Sequence, residues 1–221
     1  VTSGKASKMN FGILSARFIA ATRAMFAVGT ILILMQPAAA AGDAEAGAQK
    51  AGTCAACHGM DGNSVNPQWP SLAGQNANYI VNTLQAFKDG TRSDVLMSAQ
   101  AAALSEQDMA DLAAHFEAQV ATRRTANPDL ARLGEKVYRG GNKETSVSAC
   151  IACHGPTGQG NGPAAYPAIS GQHAAYTAKQ LNDYKSGART SDGDARIMRN
   201  ITERLSDDEI KAVSAYMQGL H

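Results

Sequence analysis

The sequence is poor in aromatic residues, which make up 5% of the chain and include a single tryptophan. Strands draw on aromatic and β-branched side chains, and no credible alternation of apolar and polar residues runs along the sequence, so sheet-based architectures are set aside. An excess of charge of either sign is also missing: 20 Lys and Arg stand against 19 Asp and Glu, for a net charge of +1. Without a basic excess no nucleic-acid partner is expected, and without a long acidic run no acidic disordered tail. The apolar stretch 24–35 covers about twelve residues, well short of the roughly twenty that cross a bilayer. Cysteine is scarce as well, with four in 221 residues. A chain of this length divides into one large or two small domains. Two small cores with few aromatics would be thin, and would gain from a covalent staple or a bulky prosthetic group.

The first forty residues hold Lys5, Lys8, Arg17 and Arg23 and no acid, then the apolar stretch, then Gln36, Pro37 and the small residues Ala38, Ala39 and Ala40. That order is the pattern of an export signal, so residues 1–40 are expected to be a signal peptide cleaved after Ala40, and the mature protein to be exported. The remaining chain carries 16 bases and 19 acids, a net of −3, unevenly distributed. Residues 41–127 have a net charge of −4 and residues 128–221 of +1. Such a dipole orients a protein in the field of a partner more than it stabilises a fold.

All four cysteines fall in two Cys-x-x-Cys-His motifs, Cys54-Ala-Ala-Cys57-His58 and Cys150-Ile-Ala-Cys153-His154. This pentapeptide is the attachment signature of c-type haem. Two thiols three positions apart in a tight turn can each add to one of the two vinyl groups on a porphyrin edge, and the following imidazole then meets the iron as proximal ligand. A zinc site would want its second ligand pair at short separation, whereas these pairs lie 96 residues apart. A thioredoxin-type redox pair would want a βαβ setting. Two structural disulfides would leave the paired histidines unexplained. Two covalently bound haem c groups are therefore expected.

The chain also repeats itself. Pro70 to Ser93 aligns without gaps on Pro167 to Thr190, with nine of 24 positions identical, among them Gly74 with Gly171, Gln75 with Gln172, Tyr79 with Tyr176, Leu84 with Leu181, Gly90 with Gly187 and Arg92 with Arg189. One haem motif per copy implies two homologous domains, 41–127 and 128–221, joined near Asn127-Pro128, because a residue before proline is pushed out of the helical region. Each copy reads as helical. A first helix is expected from Asp43 toward Cys54, and its counterpart from Asp129 to Arg139. Ile80, Leu84 and Phe87 form an amphipathic stripe that stops at Gly90, and the matching segment stops at Gly187. A last helix opens on Ser105 with Asp108 three residues on, and on Ser206 with Glu209, a capping-box pattern each time.

The sixth position on each iron decides between carrier, oxygen binder and catalyst. Superposing the capping boxes puts Leu104 on Leu205 and, seven residues earlier, Met97 on Met198. Both are expected in loops after the second helix, as soft thioether ligands that favour reduced iron. Met109 and Met217 read as core filler, and Met60 lies too near His58 to reach the opposite haem face. His115, His173 and His221 are not expected to be ligands, the last two being read as surface residues. The carbonyls of Pro70 and Pro167 are candidates to hold the second ring nitrogen of each proximal histidine. Arg92 and Arg189 are candidates either for haem propionates or for plain surface bases, and Trp69 for covering a haem edge or filling core.

Taken together these residues resemble the dihaem cytochromes of the cytochrome c4 family. The resemblance rests on the AGDAEAG segment, CAACHG and CIACHG, the paired PxxxGQ elements, GTR and GART, the two methionines and the closing YMQGLH. It implies an all-α fold of two tandem class I cytochrome c domains related by a pseudo-twofold. It also implies axial pairs His58 with Met97 and His154 with Met198, and no catalytic residue. The implied role is a periplasmic electron carrier, monomeric and with or without peripheral attachment to the inner membrane, working between a quinol-oxidising complex such as quinol-cytochrome c reductase and terminal oxidases or reductases. The alternatives are the cytochrome subunit of a dehydrogenase, for instance in flavocytochrome-type sulfur oxidation, and a dihaem peroxidase.

Overall fold

The computed structural model describes residues 41–221, so the expected signal peptide lies outside the described residues. The chain folds as two runs of helices with the same order. The first comprises α1 (Ala44–Lys50), α2 (Gly52–His58), α3 (Ala77–Asp89), α4 (Val95–Ala102) and α5 (Glu106–Glu117); the second α6 (Pro128–Gly140), α7 (Ile151–His154), α8 (Ala174–Ser186), α9 (Ile197–Thr202) and α10 (Asp207–Gly219). The described residues contain no strand, only two isolated bridges inside loops of the second half.

Local chemistry sets most helix ends. Asp43 caps α1 by accepting from the amides of Glu45 and Ala46, and both expected capping boxes close at Ser105 with Asp108 and Ser206 with Glu209. Gly90 and Gly187 take left-handed backbone (φ 82° and 77°) and stop α3 and α8, a conformation open to glycine at little cost. The first helix departs from expectation, because the run from Asp43 toward Cys54 is divided at Ala51 into α1 and α2.

In each half the first helix crosses the last, α1 over α5 and α6 over α10, and a glycine sits at each crossing. A Cβ on Gly47 would lie 2.0 Å from the Asp111 carbonyl oxygen, and one on Gly134 2.2 Å from that of Ala212. Only a residue without a side chain admits so close a backbone approach. Each half has its own core, around Ile80, Leu112 and Phe116 in the first and Val137, Tyr138, Leu181, Ile210 and Val213 in the second. Met109 and Met217 are buried, as their reading as filler requires.

The halves meet through hydrogen bonds that come in exchanged pairs. Gln75 donates to the carbonyl of Ala168 and accepts from its amide, both at 2.8 Å. Gln172 does the same with Ser71, both at 3.0 Å. Ser71 and Ala168 occupy the same repeat position, as do the two glutamines, so each pair is the image of the other. Reciprocity of this kind is the signature of a twofold relation.

The connecting segment is stapled to both halves. Asn63 holds it through the amide of Thr122 and the carbonyl of Val120, and Gln218 through the carbonyl of Thr125. The Arg124 guanidinium donates to the Ser64 carbonyl and Ser71 Oγ on one side and to the Gly171 carbonyl on the other. Beside it lies His173, which is not the surface residue the sequence suggested but is 8% exposed. Its Nε2 donates to the Ser64 carbonyl at 2.8 Å, and Arg124 Nη2 stands 3.2 Å from the same nitrogen. Burial, aided by the Arg124 charge, holds the imidazole pKa below its ordinary value, while the bond to Ser64 acts in the opposite sense.

The folded-state pKa of His173 is thus below that of the unfolded chain, which takes up the proton first as the pH falls. The contribution of this group is full above about pH 6.5, the ordinary histidine value, and is lost as the pH drops toward the folded-state pKa. His173→Asn, which installs the residue of the equivalent position Asn76, is expected to flatten the fall in thermal midpoint between about pH 7.5 and 5.5. Parallel midpoint curves for the two proteins would show that His173 does not supply it.

Candidate functional site

The two Cys-x-x-Cys-His motifs form short helical turns. Cys54, Cys57 and His58 lie on α2; Cys150 stands at the N-terminus of α7, with Cys153 and His154 inside it. Residues three apart on a helix share a face, so each turn presents two thiols side by side. The four cysteines are half-buried, and none is paired with another in a disulfide. This chemistry fits a covalently attached haem, which needs both sulfurs of a turn available to one porphyrin edge.

The histidines fit it too. His58 Nδ1 donates to the Pro70 carbonyl at 2.8 Å, and His154 Nδ1 to that of Pro167 at 3.0 Å. The two expected acceptors are the observed ones. With the proton committed to Nδ1, the lone pair of each ring is left on Nε2, which is the tautomer an axial ligand requires. Both rings are buried, and burial lowers each pKa, against the opposing effect of the proline carbonyl. Each imidazole is therefore held neutral. The loops that carry the prolines are tied back by further bonds: Ser64 Oγ donates to the Cys57 carbonyl in the first half, and in the second the Tyr138 hydroxyl donates to the Gly155 carbonyl at 2.6 Å. Tyr138 is fully buried. It stands in an amphipathic helix as one aromatic among apolar residues, so the sequence did not mark it.

Met97 and Met198 are each the second or third residue of a short helix, not loop residues as expected: Met97 is third in α4 and Met198 second in α9. Helix starts are favoured there by side-chain caps. Asp94 accepts from the amides of Leu96 and Met97, both at 3.0 Å. In the second half Asp192 does the work from a distance, accepting from the Arg199 amide and pairing with its guanidinium at 2.7 Å, while the Thr202 hydroxyl donates to the Met198 carbonyl. Both methionines are half-buried. Met198 packs, with Cys150, against the core of the second half. Met97 has exposed neighbours in Val95 and Leu96 and is not part of the corresponding core in the first half.

The remaining candidates sort as follows. Met60 is exposed, and so, in part, is Trp69. His115 lies edge-on to Phe116 with ring centroids 5.0 Å apart, and its Cβ is among the atoms against Gly47; Tyr216 holds the same place against Gly134. These two side chains belong to the helix crossings. Arg92 and Arg189 are not surface bases, being 7% and 6% exposed and turned into the boundary between the halves.

Comparison with known proteins agrees with this geometry. A model of the family described as "Cytochrome c" matches the chain twice, over residues 44–118 and 131–221. Cytochrome c4 of Azotobacter vinelandii is 50% identical over 191 residues, covering 82% of this chain and 91% of that protein. The chain belongs to the cytochrome c4 family. Its fold is likewise that of reduced recombinant cytochrome c4 from Pseudomonas stutzeri, with a TM-score of 0.80 and 47% identity over 82% of this chain and 100% of the other. A thiosulfate dehydrogenase electron acceptor of Stutzerimonas stutzeri is 37% identical over 86% of this chain and 90% of its own length. As a cytochrome c4 the chain is an electron-transfer protein, all-α, built from two tandem class I cytochrome c domains and carrying two covalently bound haem c groups, one on each Cys-x-x-Cys-His turn.

Proposed function

We propose that this cytochrome c4 relays electrons in the periplasm between a quinol-oxidising complex and terminal oxidases or reductases, with His58 and Met97 on one iron and His154 and Met198 on the other. The reading is carried by one observation, the repeated turn in which a buried histidine gives its Nδ1 proton to a proline carbonyl and keeps Nε2 free. When bound, each haem supplies a one-electron iron couple. The cysteines fix it covalently at a defined edge, and the proline carbonyls fix the imidazole tautomer and orientation. Met97 and Met198 would each supply a sulfur ligand to an iron, which would keep small reactants off it and confine the chain to carrying electrons. Domain limits at 40/41 and 127/128 follow from the same reading, the second at the Asn127 cap where α6 begins on Pro128.

Among the described residues no helix is long and apolar enough to cross a membrane. A monomeric state, with or without peripheral attachment to the inner membrane, is part of the proposal. The net charge of −4 on residues 41–127 against +1 on 128–221 supports two distinct docking faces, since opposite fields select different partners. The 37% identity to a thiosulfate dehydrogenase electron acceptor favours a second reading, in which the electrons come from a soluble dehydrogenase.

Intact mass, iron content and reduced and oxidised spectra of the exported protein test the first reading together. The expected result is a chain starting at Ala41, two irons, and methionine coordination at both. A single iron per chain, or a spectrum without methionine coordination, overturns the assignment. Isolation as a stable complex with a dehydrogenase would establish the second reading in place of the first.

A further inference from the structure

The proline carbonyls that hold the proximal histidines belong to peptide groups that are bonded at both ends, and the second partner lies in the opposite half. The Pro70 carbonyl, 2.8 Å from His58 Nδ1, shares its peptide with the Ser71 nitrogen, which donates to Gln172 Oε1 at 3.0 Å. The Pro167 carbonyl, 3.0 Å from His154 Nδ1, shares its peptide with the Ala168 nitrogen, which donates to Gln75 Oε1 at 2.8 Å. A single planar peptide group therefore separates each proximal histidine from a glutamine of the other half.

The side chains of the two glutamines are fixed in orientation. Each follows a glycine with left-handed backbone, Gly74 or Gly171, both at φ 67°. Each side-chain oxygen also accepts from the next amide along its own chain, that of Asn76 at 2.9 Å or of His173 at 3.1 Å, where α3 and α8 are capped. Each side-chain nitrogen donates to the carbonyl of Ala168 or Ser71. Turning either amide over would set its nitrogen against two N–H donors and its oxygen against a carbonyl, so the oxygen is held toward the histidine's peptide. A clamp between the halves needs no such placement: Asn78 Nδ2 donates across the boundary to the Gly162 carbonyl at 3.0 Å with no histidine behind it. The repeated Pro-x-x-x-Gly-Gln element thus divides its work, the proline serving the histidine of its own half and the glutamine that of the other.

Hydrogen bonds in series polarise one another. Donation from the Ser71 N–H to Gln172 makes the Pro70 carbonyl a stronger acceptor, which draws on the Nδ1 proton of His58 and leaves more negative charge on the ring. Such a ring is the more basic ligand and favours ferric over ferrous iron. Loss of the glutamine oxygen weakens the chain of bonds and favours the reduced state.

We propose that Gln172 and Gln75 are positioning residues for the proximal histidine of the opposite half, Gln172 for His58 and Gln75 for His154, each acting through the intervening proline peptide. This rests on the axial-ligand reading above. The test is nuclear magnetic resonance of the holoprotein during redox titration. In the reduced wild type the Nδ1–H signals of His58 and His154 should each leave the diamagnetic region as the iron bound to that ring is oxidised, so each signal reports one redox step. A signal that stays in place through full oxidation would defeat the ligand reading, and the proposal with it.

With that pattern established, the variants test the proposal alone. Gln172→Met keeps the side-chain length and removes the acceptor. It is expected to move the His58 Nδ1–H signal upfield and to shift the step reported by His58 about threefold toward the reduced state, or about 28 mV, leaving His154 in place. Gln75→Met should do the converse, and Asn78→Ala, which loosens the boundary elsewhere, should move neither. Ring signals and steps unmoved by both glutamine changes would overturn the proposal, as would shifts confined to the histidine of the altered half or reproduced by Asn78→Ala. Hydrogen exchange of the wild type gives a check that no substitution can disturb: the Ser71 and Ala168 amides should be protected like those inside a helix, and free exchange at both would equally overturn it.

Discussion

Met97→Ala is expected to yield a protein that still holds two haems but has one redox step strongly displaced to lower potential. The thioether is a soft, neutral donor that favours ferrous iron, so its loss removes a preference for the reduced state. Because the cysteines and His58 remain on α2 and the Pro70 carbonyl still holds the ring, attachment and proximal ligation survive. The displacement should be several times the ~59 mV that a tenfold change in a one-electron equilibrium represents. The freed position should also bind added imidazole, and the wild type should not. Met198→Ala should do the same to the other step, with an added loss of stability, since Met198 packs against the core of its half whereas Met97 does not. Spectroelectrochemical titration with and without imidazole measures both effects. Two unmoved steps for Met97→Ala would place the axial sulfur elsewhere in the first half.

The features legible in the sequence are those whose chemistry is local. A capping box closes over three residues, an αL glycine ends its own helix, and a Cys-x-x-Cys-His turn carries its whole specification in five positions. The proline acceptors were also readable, because they stand 12 and 13 residues from their histidines within one loop. The methionine candidates needed the repeat, which singled out two of the eight methionines by position. What could not be read is the boundary between the halves. His173 and Arg92 were indistinguishable from surface polar residues because their partners, Ser64 and Tyr176, lie 109 and 84 residues away. Identity within the repeat did mark Gln75, Tyr79 and Arg92 along with their counterparts. Yet identity across a repeat is equally well explained by a role inside each domain, and only the structure shows the pairs exchanged between them. The break at Ala51 was hidden for a different reason: the residue keeps right-handed helical backbone, so neither proline nor a positive φ signals the end of α1.

Gly134→Val should strongly destabilise the second half. A Cβ at this position would lie 2.2 Å from the Ala212 carbonyl oxygen and 2.6 Å from the Tyr216 Cβ, so α6 and α10 would have to separate along the crossing that builds the second core. Two effects oppose each other. Replacing a helical glycine gains up to about 1 kcal/mol of helix propensity with alanine and less with a β-branched residue. Overpacking costs about 1–3 kcal/mol for extra methylenes in a tight core, and more where the obstacle is backbone that cannot rotate away. Here the nearest atom is a backbone carbonyl, so the steric cost wins. A net loss of about 3 kcal/mol corresponds to a fall of roughly 12–24 °C in the thermal midpoint of a domain of this size. Gly134→Ala should show a smaller fall of the same sign, because its propensity gain is larger and its volume smaller. The equivalent Gly47→Ala meets an even shorter approach, 2.0 Å to the Asp111 carbonyl oxygen, and should destabilise the first half in turn. Thermal unfolding of the holoproteins followed by circular dichroism decides the matter, and midpoints within a degree or two of wild type for both valine and alanine would mean that the helices do not cross as closely as described.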